Sequence, residues 1–215
     1  MAAYNPEEQE KIEGLKAWWA AHGNTMIIIV TTLIATIVGT QTWNYYKRQQ
    51  AQQAADLFAI LQQQVEKNSN SGKINDAAHL LMEGFPASGY ASRAALIAAH
   101  ANINAGEIQG TKSKLQWILD VSKESEIKDI ARLRLAGILL DEKKYDEALS
   151  LLNAQHGESF TGLYTDLKGD ILTASGKIAE ARIAYQQAID KLGGGRSAYQ
   201  NIVQMKLDAL RETKQ

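Results

Sequence analysis

An uncharged apolar stretch near the N-terminus is the strongest feature of the hydrophobic pattern. Residues 17–46 contain no Lys, Arg, Asp or Glu, and isoleucine, valine, leucine and threonine fill the centre of the stretch. A helix over residues 25–45 would be roughly 31 Å long, which matches the hydrocarbon core of a bilayer. We therefore predict a single transmembrane helix at residues 25–46, after an N-terminal tail at residues 1–24.

Aromatic residues flank this stretch, with Trp18 and Trp19 before it and Trp43, Tyr45 and Tyr46 at its end. Amphipathic rings prefer the headgroup layers, so these positions favour a membrane-spanning helix. A cleaved signal peptide would need a basic start and a small-residue cleavage site, whereas this N-terminus is acidic. A buried core helix is the other alternative, and the uncharged length disfavours it. The numbers of Lys and Arg beside the two ends are nearly equal, so charge alone does not set the orientation.

Beyond the apolar stretch, a helical-hairpin pattern recurs at a regular interval. Gly169 precedes a turn, and a second small residue, Ala181, follows the turn with the large Tyr185 one helical turn later. Ala136 and Ala148 repeat this spacing one unit earlier. Small residues let the two helices of a hairpin approach each other, and the unit length is close to the period of about 34 residues in tetratricopeptide repeats.

A more degenerate unit lies upstream. Residues 106–120 align without a gap on residues 176–190, and Thr111 replaces the small residue of the second helix. Two further helical runs, at residues 48–66 and 74–84, precede this unit. We interpret them as a linker helix, which continues from the membrane helix, and as part of an atypical first repeat.

The predicted organisation after the membrane helix has three parts. The linker helix and the atypical repeat occupy residues 47–91, tetratricopeptide-like repeats occupy residues 92–195, and a capping helix occupies residues 196–215. Glycines at 193–195 break the chain before this last helix, which would cover the open end of the repeat stack. Its predicted apolar face comprises Ile202, Met205 and Leu207 or Leu210. The predicted fold class is all-α: a single N-terminal transmembrane helix followed by a tetratricopeptide-like α-solenoid with a C-terminal capping helix.

Little in the sequence points to catalysis. The formal net charge is -1, which does not suggest nucleic-acid binding, and cysteine is absent, which excludes disulfides and cysteine-type zinc sites. The four histidines are scattered, and the glycine run lacks the Lys-Ser/Thr ending of a phosphate loop. We therefore predict no enzyme activity, no catalytic residue, no cofactor and no metal site. Residues 141–147 are most simply a solvated, salt-bridged face, and Trp117 is more typical of packing between layers than of binding.

The first helix of each hairpin lines the inner surface of such a repeat stack, and that surface is the usual place where it binds proteins. The repeat register assigns the following residues to it: Arg93, Leu96, His100, Asn104, Leu133, Gly137, Leu140, Leu163, Asp166, Asp170 and Thr173. These are our candidate partner-binding residues. Each leucine among them is equally compatible with simple packing between repeats.

Several features, taken in order along the chain, resemble one known family. They are the acidic tail, Lys16-x-Trp18-Trp19, Gly23 before the span, Trp43-x-Tyr45 after it, the three repeat units, and Gln204-Met205-Lys206-Leu207. The chain resembles the YfgM-type ancillary subunits of the bacterial SecYEG translocon, which have a tetratricopeptide-like periplasmic domain. It departs from them in a more threonine-rich span and in its Trp-Trp pair.

The resemblance implies a protein of the bacterial inner membrane with a cytoplasmic N-terminus and a periplasmic repeat domain. It implies association with SecYEG and with a PpiD-type periplasmic chaperone, and a role in passing newly translocated proteins to periplasmic chaperones. Translocating polypeptides and the lipid bilayer would be further partners. The family has also been connected with an envelope-stress phosphorelay. An alternative function is that of a structural or regulatory repeat protein of the envelope, such as a cell-division or stress-signalling coordinator.

Overall fold

The computed structural model describes the backbone of residues 6–192 and 198–212, and the side chains of residues 10–192 and 198–210. Within these ranges the chain is helical and contains no strand, so the predicted all-α class is confirmed. The predicted glycine break at 193–195 lies outside the described residues. Two compact units divide the chain, one ending at Gln52 and the other beginning at Gln53.

The first unit consists of most of one long helix, α1 (Pro6–Glu66). From Pro6 onward it is helical through the described part of the predicted tail and into the predicted linker helix. Ile28 and Leu33 leave 59% and 58% of their surface exposed, as lipid-facing residues would. Thr31 and Thr36 donate their hydroxyl hydrogens to carbonyl oxygens one turn back, which satisfies these polar groups without water. The helix is long and apolar enough to cross a membrane.

The second unit contains the end of α1 and a series of helical hairpins. Its further helices are α2 (Ser71–Gly84), α3 (Gly89–Asn104), α4 (Ile108–Val121), α5 (Ser125–Asp141), α6 (Tyr145–Leu152), α7 (Thr161–Ala174), α8 (Ile178–Lys191) and α9 (Ala198–Glu212), with a short 3₁₀ helix at Glu158–Phe160. The hairpins α3–α4, α5–α6 and α7–α8 are the three repeats predicted from the sequence. The helices α3, α5 and α7 are the first helices of these hairpins, and α4, α6 and α8 are the second helices.

Burial confirms the repeat register. Thr111, Ala148 and Ala181 occupy the equivalent position of the three second helices, and all three are 0% exposed. Gly169 in α7 lies against the ring of Tyr185 in α8, where an added Cβ would come within 2.5 Å of a ring carbon. The close approach of the two helices that the small residues predict is therefore present.

The turns inside the three hairpins share one backbone geometry. Gly106, Lys143 and Gly176 each follow a first helix with a positive φ, of 77°, 61° and 79°. In each turn the next residue's N–H bonds, at 2.8 Å, to a carbonyl oxygen five residues earlier. This pattern closes a helix with a left-handed residue, a conformation that glycine adopts without steric cost. Lys143 adopts the same conformation with a side chain.

The last helix buries the predicted Leu207 and Leu210 but not the rest of the predicted apolar face. Val203, Leu207 and Leu210 are buried against α7 and α8, whereas Ile202 and Met205 are 49% and 71% exposed. The prediction that Ile202 and Met205 lie on the apolar face was therefore wrong. The reason is that polar residues also fix the rotation of α9, because its Lys206 and Tyr199 reach carboxylates on α7 from the same side as the buried residues.

Candidate functional site

The candidate residues lie on the first helices of the three repeats. Helix α5 contacts both α3 and α7, so the three helices are neighbours in chain order. We call the surface that carries the candidates the A-helix face; it comprises Arg93, Leu96, His100, Asn104, Leu133, Gly137, Leu140, Leu163, Asp166, Asp170 and Thr173. The structure divides them into an accessible group on α3 and α5 and an internally bonded group on α7.

On α3, the candidates combine one ion pair with exposed polar groups. The two terminal nitrogens of Arg93 each donate to one oxygen of Glu124, both at 2.9 Å, and this hydrogen bonding raises the pKa of the Arg93 guanidinium. His100 and Asn104 are exposed one turn apart, with Nε2 and Nδ2 separated by 3.3 Å. Leu96 is half-buried and packs against the main core, the cluster of buried residues contributed by α2 to α7. This helix therefore presents mainly hydrogen-bonding groups.

On α5, two leucines flank an open position. Leu133 and Leu140 are half-buried and pack against the main core, so each keeps part of its side chain accessible. Gly137 lies one helical turn from each of them, and a Cβ added there would meet no atom within 4 Å. Gly137 therefore leaves open space between the two leucines.

On α7, three of the four candidates bond to the last two helices, while Leu163 is half-buried. Asp166 accepts hydrogen bonds from the Tyr199 hydroxyl at 2.6 Å and from Lys206 Nζ at 3.0 Å. Asp170 accepts from Lys206 at 2.8 Å. These carboxylates thus attach the capping helix.

Tyr185 completes this polar cluster from α8. Its hydroxyl donates to Asp170 at 2.7 Å and lies 3.3 Å from the hydroxyl of Thr173, the third internally bonded candidate. Burial would lower the pKa of the Lys206 ammonium, but hydrogen bonds to Asp170 and Asp166 outweigh it and raise the pKa. The lysine therefore stays charged between the two carboxylates.

A second buried carboxylate escaped the sequence analysis. Asp129 of α5 is 1% exposed and accepts hydrogen bonds from Arg132 at 2.8 Å, the Gly157 N–H at 2.9 Å and the Tyr164 hydroxyl at 3.2 Å. It fastens the loop after α6 to the core. An acidic residue in the first turns of a helix usually faces water, so no local signal distinguished it. Within the described ranges, no group of three or more His, Asp or Glu side chains could hold a metal ion.

Comparison with known proteins agrees with this architecture. The family model of a tetratricopeptide repeat-like domain matches residues 16–212. A protein of Neisseria gonorrhoeae named ancillary SecYEG translocon subunit is 32% identical over 95% of this chain and 98% of its own length. This chain belongs to the family of ancillary SecYEG translocon subunits.

Two further relatives with the same printed name extend the comparison. The protein of Haemophilus influenzae is 28% identical over 97% of this chain and all of its own length, and that of Escherichia coli is 24% identical over 94% and 96%. No solved structure gave a significant match. The matched region includes the candidate transmembrane helix and all three repeats. The family match therefore covers both parts of the chain. Such repeat subunits are of the scaffold kind.

Proposed function

We propose that this protein is a membrane-anchored scaffold associated with the SecYEG translocon that helps transfer newly translocated proteins to periplasmic chaperones. The observation that carries the proposal is the match to ancillary SecYEG translocon subunits over nearly the whole of both chains. A PpiD-type periplasmic chaperone is the proposed partner on the receiving side. Translocating polypeptides are the proposed cargo.

The accessible part of the A-helix face supports a protein-binding role. Half-buried Leu133 and Leu140 with the open position at Gly137 offer apolar contact, and His100 and Asn104 offer hydrogen-bonding groups on the neighbouring helix. A surface that mixes apolar and polar groups suits transient contact with segments of varied sequence. We exclude Asp166, Asp170 and Thr173 from the proposed binding surface because they bond to α8 and α9.

Site-specific photocrosslinking tests this role directly. A photoreactive residue at Gly137 or His100 adds bulk only where the surface is open, so the fold should be retained. The matched control is Ile183 on α8, which is 61% exposed but lies on a second helix. We expect crosslinks to translocon subunits, a PpiD-type chaperone or secreted chains from 137 and 100 but few from 183. Equal crosslinking from all three positions, or none to such proteins, would contradict the proposal.

We also propose that the N-terminus is cytoplasmic and the repeat domain periplasmic in the bacterial inner membrane. The absence of cysteine makes this testable with single engineered thiols. Ser113 is an exposed residue of α4, so Ser113→Cys should react with a membrane-impermeant maleimide in intact spheroplasts. Glu13→Cys should react only after permeabilisation. The reverse labelling pattern would show that the orientation is inverted, and labelling of both without permeabilisation would argue against a spanning helix.

A further inference from the structure

An open groove lies on the side of the repeats formed by the second helices. It has a volume of about 950 Å³ and lies between α4 and α6, with α5 as its floor. Its lining comprises Lys112, Ser113, Gln116, Trp117, Asp120, Leu135, Leu139, Asp146, Glu147, Ser150 and Leu151. We call it the α4–α6 groove. It shares no residue with the A-helix face.

Helices α4 and α6 both pack on α5 and form the two walls of the groove. Helix α6 has 8 residues, whereas the equivalent helices α4 and α8 have 14 each. At about 1.5 Å per residue, α6 is shorter by roughly 9 Å, so it covers less of the underlying helix. Helix α5 has 17 residues, and its Leu135 and Leu139, which are 6% and 5% exposed, show only their edges at the floor of the groove. Two helical walls with a helical floor leave the space that a further helix of this layer would fill.

The walls supply more apolar surface. Trp117 on α4 and Leu151 on α6 are half-buried, so each keeps part of its side chain accessible at the groove. Trp117 packs against two core clusters, one formed by α1, α2 and α3 and the other by residues of α2 to α7, which fixes its ring in place. A rigid aromatic wall above a leucine floor is the arrangement that anchors apolar side chains of a partner.

The rim of the groove is acidic. Asp120, Asp146 and Glu147 contribute three carboxylates, and the one lysine of the lining, Lys112, is held by Glu142. Lys112 Nζ donates to both oxygens of Glu142, at 2.9 and 2.8 Å. These bonds, followed by those from Lys144, lower the pKa of Glu142. Lys112 and Lys144 thus share Glu142, which leaves one net positive charge beside the three rim carboxylates, so the mouth of the groove stays net acidic.

We propose that the α4–α6 groove binds an amphipathic helix of another polypeptide. The helix would place an apolar stripe against Leu135, Leu139 and Trp117 and would carry lysine or arginine on its flanks to face the acidic rim. An amphipathic helix laid into a hydrophobic groove is an established mode of peptide recognition, and opposite charges at the rim favour the correct partner. The site does not depend on association with SecYEG.

The test uses the full chain in nanodiscs of zwitterionic lipid and a fluorescent synthetic helix of leucine and lysine with an apolar stripe. A second peptide has glutamate in place of lysine, and a third is a scrambled version that cannot form the stripe. Binding is measured by fluorescence anisotropy, with empty nanodiscs subtracted. The lysine peptide should bind best, and added salt should weaken it because the rim charges are exposed to solvent.

Two variants probe the groove, and each has a control at the equivalent position of the last repeat. Asp120→Lys reverses a rim charge; Asp190→Lys does so on α8, where Asp190 accepts from Gln186 just as Asp120 accepts from Gln116. Ser150→Trp fills the groove mouth; Ile183→Trp adds a ring at an exposed site of α8. Circular dichroism should show an unchanged helical spectrum for all four.

We expect Asp120→Lys and Ser150→Trp each to lower the affinity for the lysine peptide about tenfold. The two α8 variants should change this affinity little. Three results would overturn the proposal: no binding of the lysine peptide, equal binding of the glutamate or scrambled peptide, or equal loss in groove and control variants.

Discussion

Lys206 on the last helix donates hydrogen bonds to both carboxylate oxygens of Asp166 on α7, each at 3.0 Å, although the two residues are 40 positions apart. The Asp166 side chain is 4% exposed and that of Lys206 is 31% exposed. The pair joins the capping helix to the first helix of the last repeat. A charge that is this well buried is tolerated only with its partner in place.

Removing the lysine should therefore destabilise the end of the repeat domain. We expect Lys206→Met to lower the free energy of unfolding by about 2–3 kcal/mol, because it removes the cation beside the buried Asp166 carboxylate and leaves Tyr199 as its side-chain hydrogen-bond donor among the described residues. Urea unfolding and hydrogen exchange of α9 would measure it. Glu124→Gln is the control, since it breaks the more exposed Arg93–Glu124 pair and should cost less than about 1 kcal/mol. Equal losses would show that burial does not set the strength of these pairs.

Two glycines inside first helices should respond oppositely to alanine. A Cβ at Gly169 would come within 2.5 Å of the Tyr185 ring, and the bond from that tyrosine to Asp170 hinders the ring from moving aside. We expect Gly169→Ala to lower the free energy of unfolding by about 1–3 kcal/mol. A Cβ at Gly137 meets no atom within 4 Å, so Gly137→Ala should raise it by about 0.5–1 kcal/mol through better helix propensity. Urea unfolding of both variants decides whether helix spacing requires the first glycine.

The hairpin turns allow a stabilising substitution. Lys143 has a φ of 61°, where the equivalent residues of the other two turns are glycines. A left-handed backbone costs a residue with a Cβ about 1 kcal/mol or more, so Lys143→Gly should raise the free energy of unfolding by about 0.5–1 kcal/mol. Gly176→Ala introduces the same backbone strain at a turn that now lacks it, and it should lower the free energy of unfolding by a similar amount. If both variants destabilise the protein, the contacts of the Lys143 side chain outweigh its backbone strain.

The repeat register was predictable because it depends on local spacing. A small residue is required wherever two helices approach each other closely. The sequence has such residues at a nearly regular interval, at Thr111, Ala148 and Ala181. The role of Asp166 was not predictable in the same way. Its lysine partner is too distant along the sequence for any periodicity to connect them, and an aspartate on a first helix is equally suited to a partner protein or to a capping helix.

The α4–α6 groove was missed for a related reason. The hydrophobic pattern indicates which face of a helix is apolar, but it locates helix ends poorly. It also does not tell how far α4 and α6 stand apart over Leu135 and Leu139 of α5, and that spacing forms the groove. The acidic residues near it were correctly interpreted as part of a salt-bridged surface for Glu142, which pairs with Lys144 at 2.9 Å. Lys112 from another helix joins that pair, and only the folded chain shows it.

Alkaline pH should weaken the domain through its buried tyrosines. Burial raises the pKa of Tyr164 from 10.0 to about 12. Arg132 lowers this pKa and Asp129 raises it, but burial is the largest effect, and Tyr164 is only 2% exposed. The folded state therefore keeps the phenol proton to a higher pH than the unfolded state does. This contribution to stability is complete below pH 10 and is lost as the pH rises towards about 12.

The pKa shift of Tyr164 corresponds to about 2–3 kcal/mol of folding free energy. Urea unfolding at a series of alkaline pH values should show the decline, and tyrosinate absorbance of the folded chain should lag behind that of the unfolded chain. Burial also raises the pKa of Tyr185 and Tyr199, so Tyr164→Phe should reduce the pH dependence without abolishing it. If the stability of Tyr164→Phe falls with pH as steeply as that of the unmodified protein, Tyr164 ionises at the same pH in the folded and the unfolded chain. Its hydrogen bonds to Asp129 would then not hold the phenol proton.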